Sequence, residues 1–250
     1  ASIKSCGRRR TEPGGFTPAA VMMAGSFPGE IRMYLPPVTK ALLIALAVAY
    51  LAQMLAPEAA ILYFALWPLG EYPIGTGVDG LPVSVGFLPW QILSYGLLHG
   101  SLGHLFFNAL AIYMFGGSLE QTWGSRRYLS FFVVCVAGAG LIQLVVVTSG
   151  ITGQGVYPTV GASGGIFGLL MAYGMLFPNR QIMLLIPPIP MKARTFVIVF
   201  GAIELLMGVF NTASGVAHFA HLGGMLFGWL MIRYWRGQPP FRPKGPRLVR

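Results

Sequence analysis

Charge is what this 250-residue sequence has least of: Asp, Glu, Lys and Arg make up 10% of it, against roughly 25% in ordinary soluble domains. So few charges cannot cover a water-facing surface around a composition that is 55% hydrophobic, which excludes soluble, disordered and fibrous classes. Cysteine is nearly missing too. Cys6 lies in a basic N-terminal stretch and Cys135 in an apolar run, too few and too differently placed for a disulfide framework. No HExxH pattern occurs, and His218 and His221, spaced i and i+3, have no third ligand close by in sequence, so no metal and no other cofactor is expected. Glycine, by contrast, is abundant: 34 residues without a Gly-X-Y period. In an apolar chain that points to helices packed closely in lipid.

Apolar runs approaching the ~20 residues that cross a ~30 Å hydrocarbon layer lie at 38–55, 102–119, 126–148, 163–177, 194–211 and 217–235. The expected fold is an all-α integral membrane bundle of six spans. Residues 1–37 read as a polar, basic tail, 38–235 as the membrane domain and 236–250 as a second basic tail. No small-residue cleavage pattern follows the first span, which marks it as an anchor rather than a removed signal. Lys and Arg accumulate in cytoplasmic loops and so sort the spans by side. They cluster at or before the first span (Lys4, Arg8, Arg9, Arg10, Arg32, Lys40), after the second (Arg126, Arg127), after the fourth (Arg180, Lys192, Arg194) and from Arg233 to the end. Connections 56–101, 149–162 and 212–216 hold none. Both termini are therefore expected in the cytoplasm. The net charge of +10 reports topology and attraction to anionic lipid, not nucleic acid. Short tails without an Arg- and Ser-rich transit composition favour a bacterial inner membrane. The long outer connection, with Ile61, Leu62, Tyr63, Phe64, Leu66 and Trp67 clustered after Pro57, reads as a partly helical hairpin at headgroup depth.

Polar residues inside spans are costly, so each is a candidate for function. Here they converge on the outer third of the membrane: His104 and Asn108 on the second span, Ser163 on the fourth, His218 and His221 on the sixth. The fourth run is short, since 15 residues at ~1.5 Å each reach only ~22 Å. Its serine therefore starts below the membrane surface, and irregular backbone at that depth needs a water-filled cavity. A serine in such a place suits hydrolysis if a base is near, and histidine is the base of fitting pKa. Gly164, Gly168 and Ala172 on one run and Gly224 and Gly228 on the other form small-residue rows that let two backbones approach, bringing Ser163 to His221. Glu120 lies at the cytoplasmic end of the second span. Glu204, about ten residues beyond Arg194, reads as hydrogen-bonded within the bundle or protonated. Neither offers an acidic third member, so a Ser–His dyad is expected, its imidazole stacked on Phe167. His104 and Asn108, spaced i and i+4, and the Ser163 amide would donate to the oxyanion. His99 and His218 read as structural or interfacial.

These residues resemble a known family, the rhomboid intramembrane serine proteases. Gly161-Ala162-Ser163-Gly164 is similar to its GxSG turn, Ala220-His221-Leu222-Gly223-Gly224 with Gly228 to its AHxxGxxxG helix, and His104 with Asn108 to its HxxxN pair. The resemblance runs from about residue 38 to 235. It implies a six-helix fold with a short central helix carrying the serine, Ser163 as nucleophile, His221 as general base, and His104 and Asn108 as oxyanion donors. The substrates implied are membrane-spanning helices cut near their outer ends. Trp90-Gln91 stands where the family often has Trp-Arg, and Phe167 where many members have Tyr. Glu120, at the end of Gly116-Gly117-Ser118-Leu119-Glu120, resembles a structural carboxylate of the family. A non-catalytic rhomboid-like protein that binds membrane clients is the alternative; a transporter is disfavoured by the lack of paired broken helices.

Overall fold

The computed structural model describes residues 35–77, 80–150, 155–183, 188–210 and 217–241. Of the expected tails, residues 1–34 and 242–250 fall outside these residues, as does the connection 212–216.

Helix α1 spans Pro37–Leu55. Proline suits its first position, where an N–H would have no intrahelical partner. Pro36 before it supplies no side-chain cap. The cap comes instead from a distant helix: Glu120 accepts from Val38 N (2.9 Å), Thr39 N (2.7 Å) and Thr39 Oγ1 (2.8 Å), and Ser125 Oγ donates to the same carboxylate at 2.6 Å. A buried carboxylate at a helix N-terminus satisfies orphan donors and complements the positive end of the dipole.

The outer connection folds as helix α2 (Pro57–Phe64), an antiparallel hairpin of β1 (Tyr72–Thr76) and β2 (Pro82–Val85), and a short helix α3 (Gln91–Ser94). Gln91 is fully buried and holds this segment with neutral bonds. Its Oε1 accepts from Trp67 N (3.3 Å) and Leu88 N (3.1 Å), while Trp90 Nε1 donates to Tyr63 O at 2.7 Å. The expected hairpin region is therefore helical and stranded at once.

Helix α4 (Leu102–Ala111) continues through a wider π turn, Ile112–Gly116, into α5 (Gly117–Trp123). Then come α6 (Ser125–Ser149), α7 (Ser163–Leu176), a second hairpin of β3 (Gln181–Met183) and β4 (Pro190–Lys192), α8 (Ala193–Phe210) and α9 (His218–Arg236). The mostly helical expectation holds, but the two hairpins correct a strictly all-α reading. Their strands are three to five residues long, and three of the four carry Pro, so they are too short and irregular for a period-2 pattern to surface. Helices occupy all six expected runs.

Among the described residues, four helices are long and apolar enough to cross a membrane: Pro37–Leu55, Leu102–Trp123, Ser125–Ser149 and Ala193–Phe210. α7 is apolar but has 14 residues, and α9 begins with two histidines and ends with Arg233 and Arg236. Large apolar side chains stand exposed on α1 (Ile44, Val48, Leu51) and α8 (Ile198, Leu206, Val209), as suits helices facing lipid. α7 is different, being buried on most of its circumference against α6 and α9. A helix apolar all round belongs in the interior. Its glycines set the fit: a Cβ on Gly224 would lie 1.8 Å from the Gly164 carbonyl oxygen, and one on Gly228 3.1 Å from Gly168 Cα.

Candidate active site

Ser163 opens α7, and the backbone ahead of it is held by Gly161, whose N–H donates to Tyr95 O at 2.9 Å. Gly161 has φ +127°, a conformation L side chains rarely adopt, and a Cβ there would sit 2.7 Å from His104 Cε1. Glycine is thus required twice, by the turn and by the imidazole that lies across it. The bare backbone brings His104 to the serine turn.

The glycine contact of α7 with α9 carries Ser163 to His221. Ser163 Oγ lies 2.8 Å from His221 Nε2. Phe167, one turn further along α7, stacks on the imidazole with ring centroids 4.3 Å apart and planes 10° from parallel. The pair borders a cavity of about 730 Å³ whose lining includes His104, Asn108, Tyr157, Gly161, Phe167 and Ala220. Its walls mix apolar and polar groups, and its size admits a short stretch of peptide.

His104 and Asn108 face this cavity from α4. Ser101 caps that helix, its Oγ accepting from His104 N at 3.1 Å. His104 Nδ1 accepts from Gly100 N–H at 3.4 Å, which leaves the ring proton on Nε2, the nitrogen toward Gly161. Asn108 Nδ2 lies 3.0 Å from Nε2 of His99. Since His99 Nδ1 is 3.2 Å from Leu97 O and must donate there, Nε2 accepts, so the amide nitrogen of Asn108 is the end directed at His99. An amide group has two N–H donors, and the second is free for the cavity.

The Rhomboid domain family model matches residues 88–237, which hold every one of these groups. The chain belongs to the rhomboid family. It is 33% identical over 144 residues to the Bacillus subtilis rhomboid-type protein YdcA, covering 57% of this chain and 65% of that protein. It is 31% identical over 167 residues to the rhomboid protease GluP of the same organism (64% and 28%), and 30% identical over 157 residues to the mitochondrial Rhomboid protein 1 of Saccharomyces cerevisiae (57% and 42%). The chain therefore spans less than two thirds of the length of each of these relatives. A rhomboid with four such apolar helices is an integral membrane protein.

Three residues that the sequence of this rhomboid does not assign to the site stand beside it. His99, read as structural or interfacial, is 1% exposed and orients Asn108. Gln53 of α1 clamps the His99 backbone from both sides, donating to His99 O at 2.8 Å and accepting from His99 N at 3.0 Å. Glu204 of α8 is hydrogen-bonded within the bundle, one of the two states its sequence reading allows, its Oε2 being 2.7 Å from His218 Nδ1; but that oxygen is also 2.9 Å from His221 Nδ1, which corrects the expectation that no carboxylate stands beside the serine and histidine. The contact with His221 is close but oblique, and Nδ1 has no aligned acceptor. The reason given against a metal, that His218 and His221 lack a third ligand, falls with it: Glu204, His218 and His221 each offer a ligand atom, all within 4.8 Å of one another. Depth could have signalled this. Glu204 is eleven residues beyond the N-terminal end of α8, and His221 is one turn past the start of α9, which follows it in the chain, so the two meet in the same layer of the bundle.

Proposed function

We propose that this rhomboid is an intramembrane serine endopeptidase that hydrolyses peptide bonds of membrane-spanning substrates near the outer face. The observation that carries the reading is the 2.8 Å approach of Ser163 Oγ to His221 Nε2 at the wall of a cavity. In the proposed reaction His221 Nε2 takes the hydroxyl proton as Oγ attacks the scissile carbonyl. The resulting oxyanion receives the Ser163 amide N–H, with the His104 Nε2–H and the second Asn108 N–H from the facing helix. His221 then gives its proton to the departing amine. Water enters the cavity and attacks the acyl-enzyme, again through His221 as base, and carboxylate product leaves. Phe167 holds the imidazole plane throughout.

On this reading α7 and α9 complete a six-span bundle, with α7 as the short central helix, both termini cytoplasmic and the cavity open outward. A substrate helix presents no free backbone, because its carbonyls are hydrogen-bonded along the helix axis. Cleavage therefore needs a segment that unwinds, so small or helix-breaking residues near the outer end of the substrate favour it.

The test is cleavage of a single-span substrate in liposomes, with mass mapping of the cut. Wild-type protein cuts near the outer end of the span and is labelled at Ser163 by a fluorophosphonate. Ser163→Ala and His221→Ala reduce turnover to background, on the order of 10⁴-fold or more. Cleavage that survives Ser163→Ala, or that a chelator alone abolishes, overturns the reading.

A further inference from the structure

We propose that Glu204 is a positioning residue that completes a Ser163–His221–Glu204 triad and fixes the imidazole in its working tautomer, an inference that rests on the serine-protease reading above. Three observations lead to it. Ser163 Oγ occupies the Nε2 side of His221, Glu204 Oε2 stands 2.9 Å from the Nδ1 side, and the two side chains of that contact are only 11% and 12% exposed.

Only one arrangement of protons lets His221 act as a base. Nε2 must be bare to accept from the serine hydroxyl, so the ring proton must sit on Nδ1. A carboxylate has no proton to give and can only accept, so at 2.9 Å it favours the Nδ1–H form. Were Glu204 neutral, its O–H could donate to Nδ1 with the ring proton on Nε2, and Nε2–H could then only donate to the serine oxygen and not take the hydroxyl proton. His218 reinforces the first arrangement: its Nδ1 is 2.7 Å from the same Oε2, so two imidazole N–H groups converge on one carboxylate oxygen. That pairing is what makes a carboxylate tolerable at this depth. When the hydroxyl proton reaches Nε2, Nδ1–H stays in place and the positive imidazolium faces a negative carboxylate. The proton is then delivered to the departing amine, and the triad returns to its starting charges. The oblique Glu204 contact needs only a small turn of the carboxylate to align, as catalytic hydrogen bonds often do once substrate is bound.

Glu204→Gln keeps the shape and removes the charge. The expected result is a kcat lowered about 100-fold, between the 10–100-fold cost of losing an orienting partner and the ~10⁴-fold cost of losing a triad carboxylate, with KM within about twofold. A structural role alone predicts the opposite split, a lowered thermal midpoint with kcat per folded, probe-labelled molecule unchanged. Should Gln disturb the bundle, Glu204→Asp and Glu204→Asn give the same comparison at equal length, and Asp exceeds Asn in kcat by about tenfold or more. Equal activity of Asp and Asn, or wild-type kcat in the Gln variant, overturns the triad while Ser163→Ala remains inactive and the protease reading stands. If Ser163→Ala cleaves like wild type, both fall. Because Glu204, His218 and His221 are also the atoms a cation would take, each assay is repeated with EDTA. Unchanged rates support the triad, and lost activity overturns it.

Discussion

His99 shows how one side chain can hold another in register. Its imidazole accepts from Asn108 and its main chain is gripped by Gln53, so α1, the turn before α4 and the cavity wall are joined through a single residue. Burial, and next the charge of nearby His104, lower its pKa from 6.5 to about 4, against the upward pull of the Leu97 carbonyl. An unfolded chain takes up this proton near pH 6.5 and the folded one only near 4, so between those values the unfolded state binds more protons and stability rises with pH. Acidification from pH 7 to 5 therefore destabilises the wild type. His99→Gln keeps an acceptor for Asn108 but cannot titrate, so its thermal midpoint in detergent declines less over that range; parallel decline in both proteins would remove His99 as the source. None of this network could be read from spacing. His99 to Asn108 is nine residues, an interval that suggests no helix face because a turn intervenes. Ser163, His221, His104 and Asn108, by contrast, announce themselves by motif and by depth. Glu204 was hidden because its partners lie on another helix, across a connection that no periodicity bridges.

Helix contacts here are decided by what glycine leaves out. A methyl group at Gly224 would meet the Gly164 carbonyl oxygen at 1.8 Å, and the obstacle is main chain, which cannot rotate aside. Gly224→Ala must push α9 from α7, and overpacking of this kind costs about 1–3 kcal/mol or more. The same displacement draws His221 away from Ser163. The variant is expected to lose thermal stability and turnover together, whereas Gly103→Ala, whose new methyl finds only Ser101 Oγ at 3.9 Å, keeps both. Full activity in Gly224→Ala would disprove the tight contact. The small-residue rows made this pairing legible in the sequence, as apolar runs did the helix positions. The π turn at 112–116 was not legible, since Gly116-Gly117 in an apolar run carries no mark of a wider turn. Nor was the Glu120 cap on α1, which joins residues some eighty positions apart. Gln91, a departure from the family's common Trp-Arg, is a third such case: hydrogen bonds to three main-chain groups do locally what an ion pair would do at longer range.

At the scale of the whole molecule, the proposed orientation rests on where the basic residues fall. Lys and Arg flank one set of helix ends and are absent from connections 56–101, 149–162 and 212–216. Moving a charge against a membrane potential costs about 2.3 kcal/mol per 100 mV, and the cytoplasmic leaflet attracts each basic residue by about 1 kcal/mol more, so reversing this chain would oppose the sum of many such terms. The 22-residue helix Leu102–Trp123 reaches about 33 Å, enough to carry the chain from one face to the other, with Ser101 just before its N-terminal end and Arg126 and Arg127 just past its C-terminal end. Ser163 begins a helix running the same way, so on the proposed orientation the chemistry lies outside and the basic loops inside. Single cysteines at exposed Glu71 and Arg127, introduced where Cys135 is buried and Cys6 has been replaced by Ser, separate the two faces. A membrane-impermeant maleimide is expected to label Glu71→Cys in intact cells and Arg127→Cys only after the membrane is opened. The reverse pattern would move the serine to the cytoplasmic side, and every proposed substrate would then have to be cut at its inner end.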